Sequence, residues 1–347
     1  MKHHIFFPPE WYPQSAVQLT WPHADTDWDY MLEEVSECYV KIAAEILRRQ
    51  KLIIVCRDEG LVKYQLQDYK ELFDNLTIVE LSTNDTWARD HSGISVLKNG
   101  EKYIYDFTFN GWGLKFASNY DNQITRGLYA AKVFKQDAVL ENKKDFVLEG
   151  GALESDGKGT LLTTSECLLS PNRNSYLSKE GIEDYLKETF GLDRVLWLDY
   201  GYMDGDDTDS HIDTLARYCD EHTIAYVKCN DRDDEHCEAL NKMEEQLKTF
   251  TDYKGDPYKL IPLPMAKAVY DEDNTRLPAT YANFLIMNNV VLLPFYNDKE
   301  RDEEAKNQLQ KAFPGREVIG VDCSALIRQH GSLHCITMQY PEGFINS

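Results

Sequence analysis

Apolar residues recur along this chain in two rhythms, a helical one and an extended one, and their alternation first defines its architecture. Met31, Val35, Tyr39, Ile42, Ala43, Ile46 and Leu47 fall at helical spacing within residues 28–50, and Arg48-Arg49 follow where positive charge suits a helix C-terminus. Leu52–Cys56 is wholly apolar, as in a buried strand, and Leu76–Leu81 is a second such run after a helical stretch near 60–74. Gly93–Leu97 and Tyr103–Phe107 flank Lys98-Asn99-Gly100-Glu101 and predict a hairpin with an Asn-Gly turn. Phe146–Leu148 and Gly159–Thr163 predict strands about an Asp156-Gly157 turn, residues 178–190 a helix, and Val195–Leu198 a strand. The second half repeats the grammar: strand Thr223–Lys228, helix 233–250, strands Thr280–Asn288 and Val290–Phe295, a charged helix over 298–313, and strand Val318–Val321. Residues 8–28, dense in Trp11, Tyr12, Trp21 and Trp28, show neither period and are expected to form loops, whereas Leu333–Met338 has the pattern of a buried strand. Strands and helices mix along the whole length without a linker, composition break or readable repeat. The expectation is one α/β domain over residues 1–347.

Charge narrows the partners. The 59 acidic residues against 37 basic give a net charge of −22, a field that repels nucleic acid and anionic membrane and favours small cations. Nothing in Met1–Phe7 resembles an export signal, and no apolar run approaches the ~18–20 residues of a membrane span. The eight cysteines are scattered without CxxC pairing and are expected to be reduced thiols, mostly small core residues, Cys167 and Cys323 among them. The expected location is the cytoplasm, with no nucleic acid or membrane partner and a homodimer as the assembly considered.

Four polar clusters carry the candidate chemistry. Asp204–Asp213 holds five aspartates and His211 within ten residues, which invites a metal reading. Counted from Asp204, however, the sixth position of a calcium loop is Asp209 instead of glycine and the twelfth is Leu215, and no HExxH occurs. A solvated acidic loop and a metal-free acid/base site remain alongside a metal-dependent hydrolase or cation-binding protein built on this loop. Trp87-Ala88-Arg89-Asp90 places an acid just after a strand, and Glu149-Gly150-Gly151 places one beside two glycines that let another group come close to the backbone. Cys335 needs a proton-moving partner to be a reactive thiol. On a strand His334 would point to the opposite face, so His211 is the better partner.

Together these segments resemble the agmatine deiminase and bacterial, Porphyromonas-type peptidylarginine deiminase family of guanidine-modifying enzymes. The likeness runs from Pro9-Glu10-Trp11 and Trp21-Pro22-His23 through Asn110-Gly111-Trp112-Gly113, Glu166-Cys167-Leu168-Leu169 and Asn172-Arg173-Asn174 to His334-Cys335. It implies the pentein α/β propeller, five ββαβ-type units around a pseudo-fivefold axis, roughly 70 residues each. It also implies a cofactor-free, metal-free mechanism on a small cationic guanidine. Cys335 would attack the guanidinium carbon, His211 would act as general acid and base, and Glu149 would orient it. Asp90 and Asp213 would grip the guanidinium, Asp207 the far amine, and Trp87 and Trp21 would wall the aliphatic stem. Two positions depart from the family's agmatine enzymes, which carry glycine where this chain has Ser210 and a glycine-rich run where it has Gln329-His330-Gly331-Ser332-Leu333. Agmatine is the expected substrate, in putrescine formation, with free or peptidyl arginine as the alternative.

Overall fold

The strands of this chain gather into five mixed sheets of three or four strands, with a small two-stranded ribbon besides, in a computed structural model that describes residues 4–346. Met1–His3, part of the stretch expected to lack an export signal, and Ser347 lie outside the described residues. In the first sheet Gln14–Thr20, Lys51–Cys56 and Leu76–Glu80 run parallel, and the late strand Thr337–Pro341 closes it antiparallel to Gln14–Thr20. The second holds the hairpin Ile94–Lys98 and Glu101–Thr108 with Val139–Val147 parallel at its edge. Three more sheets pair Glu154–Ser155 with Thr160–Thr164 and Arg194–Leu198, Ala216–Asp220 with Thr223–Lys228 and Lys259–Pro264, and Leu285–Ile286 with Val290–Phe295 and Glu317–Asp322. Every sheet thus combines an antiparallel pair with a parallel strand.

Parallel neighbours cannot be joined by a tight turn, so a helix crosses at each such step. Leu32–Leu47 and Glu59–Gln65 serve the two parallel steps of the first sheet, and Ile124–Ala130, Lys179–Phe190, Cys237–Leu247 and Lys299–Ala312 the one step of each of the others. Their ends are set locally. Ser178 accepts from the Gly181 N–H and Gly191 closes the same helix at φ +68°, while Asp298 caps the helix that follows it. Asn99 and Gly100 both have positive φ, 52° and 84°, which gives the hairpin turn the twist its strands need.

Several expectations are corrected. Gln14–Thr20 is a strand and not a loop, because Ala16, Val17, Gln18, Leu19 and Thr20 are buried on both faces and leave no alternation to see. Only Leu285–Ile286 of Thr280–Asn288 is extended; the backbone before it turns, with the Asn283 N–H donating to the Thr280 carbonyl. The helix expected from 233 begins at Cys237. Leu333–Ile336 is a turn closed by Thr337 N–H on the His334 carbonyl, and extended chain starts only at Thr337.

One charge binds the sheets from inside. Arg217 has no exposed surface, and its guanidinium donates to Glu154, to Glu10 at 2.7 Å and to the carbonyls of Ala282 and Phe284 at 3.2 and 2.7 Å. Breaking such a buried pair by removing one partner strands the other's charge. Arg217→Ala is therefore expected to lower stability by about 3–5 kcal/mol. A urea-unfolding midpoint like that of the parent protein would contradict this role.

Candidate active site

The site is built where backbone comes closer to backbone than side chains would allow. Asp90 rides on the short helix Ala88–His91, which is tied to the late turn by the Arg89 N–H on the Cys335 carbonyl at 3.1 Å. The Asp90 carboxylate accepts from Gly151 N–H and from Trp112 Nε1, both at 2.9 Å. A Cβ at Gly150 would lie 2.2 Å from the Arg89 carbonyl oxygen. At Gly151 it would lie 2.5 Å from His211 Nδ1, 2.9 Å from Asp90 Oδ1 and 3.2 Å from Asp213 Oδ2. Two glycines after Glu149 are what let these three groups converge. Trp112 reaches Asp90 from a left-handed turn in which Gly111, Trp112, Gly113 and Leu114 all have positive φ.

His211 ends the acidic loop, and the loop's carboxylates are engaged in holding its shape. Asp206 accepts from the N–H groups of Thr208 and Ser210 and from the Thr208 hydroxyl. Asp209 pairs with Lys115 at 2.8 Å and with Arg173 at 2.5 Å, and Asp213 Oδ2 lies 2.7 Å from His334 Nδ1. Among Asp206, Asp207, Asp209 and Asp213, Asp207 is the one that lines the neighbouring cavity. Lys115, Arg173, His334 and the loop's own N–H and hydroxyl groups thus offset the crowding of acids there.

The His211 ring is turned with Nδ1 3.6 Å from Asp90 Oδ1 and Nε2 4.0 Å from Glu149 Oε2. Burial opposes its charge, but Asp90 foremost, then Cys167 and Glu149, hold it well above the ordinary histidine range. Glu149 is fully buried and held by Arg173 Nε at 3.0 and 2.9 Å. Burial pushes its carboxyl up, and Arg173 and His211 together bring it below the usual value. Asp213 is likewise kept low by His334 against burial, and its Oδ1 is buried without a hydrogen-bond partner in the protein.

Cys335 sits in the late turn, with Asn283 Oδ1 accepting from its thiol at 3.4 Å and from the His334 N–H at 2.8 Å. That contact is why the chain turns before Leu285. Burial first, then Asp213 and Asp90, hold the thiol well above its ordinary pKa. His334 is occupied elsewhere: its Nε2 lies 2.6 Å from Glu10 Oε2 and its Nδ1 faces Asp213. It remains an unsuitable partner for Cys335, because of these contacts instead of strand geometry.

A cavity of about 140 Å³ opens over Cys335 and Asp90. Trp87, Trp112 and Phe116 wall it, Asp27, Asp85 and Asp207 also line it, and no lysine or arginine does so among the described residues. Gly331 allows the Trp87 ring to lie against the turn, since a Cβ there would come within 2.1 Å of that ring. Of the residues singled out in the sequence, Cys335, Asp90, Trp87 and Asp207 line the cavity, and His211, Glu149 and Asp213 stand beside and behind Asp90. Trp21 does not belong here. Its strand carries it into the core against Tyr39, with Nε1 donating to Gln65 Oε1 at 2.7 Å. Sequence reasoning missed Asp27, Asp85, Trp112, Phe116, Asn283 and Arg173; the Asn110–Gly113 and Asn172–Asn174 segments flagged two of them without a role.

The profile of the Porphyromonas-type peptidyl-arginine deiminase family matches residues 6–341. An agmatine deiminase of Medicago truncatula is 32% identical, with 98% of this chain and 97% of the relative covered. Among solved structures, a Porphyromonas gingivalis protein provisionally named an arginine deiminase is 56% identical over 99% of this chain and 100% of its own, with a TM-score of 0.94. A substrate-bound variant of the agmatine deiminase of C. jejuni is 41% identical over 98% of this chain and 97% of its own, with a TM-score of 0.90. Since the profile spans nearly the whole sequence and the relatives match end to end, this chain belongs to the Porphyromonas-type peptidyl-arginine deiminase family.

Proposed function

We propose that this chain is an agmatine deiminase, which hydrolyses agmatine to N-carbamoylputrescine and ammonia through a covalent intermediate on Cys335. The charge of the cavity wall carries this reading: Asp27, Asp85, Asp90 and Asp207 line it, with His330 beside them, and no lysine or arginine among the described residues does. Agmatine is a guanidinium and an ammonium on one apolar stem, so both ends meet carboxylates and the stem meets Trp87, Trp112 and Phe116. Free arginine would bring its own carboxylate against these four acids, where no lysine or arginine receives it. The agmatine deiminases described above support the same reading. The name given to the P. gingivalis relative favours arginine, which is the second reading.

In this reading Asp90 and Asp213 receive the guanidinium N–H groups, Asp213 through the unpartnered Oδ1. The bound cation offsets the two carboxylates that keep the Cys335 thiol protonated, so binding favours the thiolate. The sulfur bonds to the guanidinium carbon. His211 gives its proton to one nitrogen, the bond from that nitrogen to carbon breaks, and ammonia leaves an amidino-thioether. Water then bonds to the same carbon while His211 takes its proton, and the carbon–sulfur bond breaks to return the thiolate and free the ureido product. Glu149 faces Nε2 and favours the cationic ring through both steps. The proposal extends to one catalytic domain over 1–347, with the five sheets as propeller blades about a pseudo-fivefold axis, acting in the cytoplasm on the route to putrescine.

Ammonia release by the purified protein is expected from agmatine, with kcat/KM for free arginine and a blocked arginine peptide lower by on the order of 10²-fold or more. Faster release from either competitor would replace the substrate. Cys335→Ala is expected to lower kcat by on the order of 10³-fold or more, and retained turnover would remove the nucleophile. The tail subsite has its own pH signature. Burial, then Asp27, push Asp85 up to about 7, and a bound ammonium favours its ionised form. Binding below that pH must release a proton, so agmatine affinity for the Cys335→Ala protein is expected to rise toward pH 7 and level off above it. Calorimetry should show this slope flattened by Asp85→Asn; a flat slope in the parent variant would count against a tail site at Asp85.

A further inference from the structure

Cys167 is a buried thiol that the reaction described above does not use, and its surroundings are not those of an ordinary core cysteine. Its sulfur, a Glu149 carboxylate oxygen and a ring nitrogen of His211 all lie within 4.8 Å of one another. Glu149 approaches His211 on the Nε2 side, and Nε2 is buried without a hydrogen-bond partner, while Nδ1 is on the side of Asp90 and Asp213. Both Glu149 oxygens are already drawn to Arg173 Nε.

The short helix Ser165–Leu168 that carries Cys167 is also fastened to the residue before His211. The Thr164 hydroxyl donates to the Ser210 carbonyl at 2.8 Å, and the Ser210 hydroxyl donates to Glu166 Oε2 at 2.9 Å. Ser210 has φ +63°, a left-handed conformation that a non-glycine residue adopts only when its surroundings enforce it. Three residues of one segment, Thr164, Glu166 and Cys167, therefore set the position of the histidine. Packing alone explains a buried cysteine, but not its place between a buried carboxylate and the rear of this ring.

We propose that Cys167 is a positioning residue for His211: its sulfur and the Glu149 carboxylate together hold the Nε2 side of the ring, so that Nδ1 stays turned to Asp90 and the cavity. The proposal rests on His211 being the proton carrier. A polarisable sulfur facing the ring favours its cation, so removing it lowers the pH at which His211 gives up its proton.

The test uses full-length Cys167→Ala and Cys167→Ser with agmatine, reading kcat, KM and the pH profile of kcat. Cys167→Ala is expected to lower kcat roughly five- to tenfold with KM changed less than about twofold, and to move the limb governed by His211 to lower pH. Cys167→Ser, which restores a polar atom of similar reach, is expected to recover most of kcat and return the limb. An unmoved profile in Cys167→Ala overturns the proposal, as does an equal loss in both variants without a shift, which is a packing effect. If Cys167→Ala does not fold, Cys167→Val, which fills the site without a sulfur or polar atom, decides through an NMR titration of the His211 ring, expected to move to lower pH than in the parent protein. An unchanged titration then overturns the proposal. His211→Asn separates the two levels: retained kcat there defeats the proton-carrier reading and this proposal with it, whereas lost kcat beside an unmoved Cys167→Ala profile defeats this proposal alone.

Discussion

The guanidinium of Arg217, sealed in the interior, is the constraint on which the rest of this molecule turns. A buried charge is tolerated only when its donors are met, and the groups that meet these come from distant parts of the chain. Glu10 arrives from the N-terminal segment, Glu154 from the edge of the third sheet, and two carbonyls from the turn at Ala282–Phe284. Glu10 also lies against His334, and His334 against Asp213. The network that anchors the sheets is thus continuous with a carboxylate that stands behind Asp90. Burial would otherwise push that carboxylate toward its neutral form, and the chain of contacts from Arg217 keeps it ionised.

Around this network the backbone accepts strained geometry wherever it brings polar groups together. Asp209, Ser210 and His330 are left-handed without being glycine. Ser210 and His330 fall where the family resemblance places glycine or a glycine-rich run, and both hold the positive φ that glycine adopts freely. Side-chain bonds replace the missing freedom: the Ser210 hydroxyl holds Glu166, and His330 Nδ1 lies 2.7 Å from the Gly205 carbonyl oxygen. Such strain is kept where the surroundings over-determine it, and here they do.

How much of this was legible in the sequence depends on the distance over which each cause acts. The Asn99-Gly100 hairpin and the helix from Ser178 to Gly191 are set by neighbours in sequence, and both lie where the pattern put them. Gln14–Thr20 and Lys259–Pro264 owe their extended form to partners far along the chain, and neither period marks them. Motif likeness gathered Cys335, His211, Glu149, Asp90 and Asp213, because it records a fold that periodicity cannot supply. It failed at Trp21, whose aromatic character suits a cavity wall and a core equally; only its strand decides. It was silent on Asp27 and Asp85, since an acid at a cavity mouth looks in sequence like any acid on a protein of net charge −22.

The pair Asp90 and Asp213 bears on the end of the reaction as well as its start. Their oxygens flank the same point beside Gly151, and burial first, then Asp213 against the pull of His211, push the Asp90 carboxyl up. A guanidinium lying between them relieves that repulsion. Its conversion to a neutral urea withdraws the relief while the tail ammonium, unchanged, still holds the far end. In the proposed reaction the product thus leaves two carboxylates facing each other without a cation between them, which favours its release.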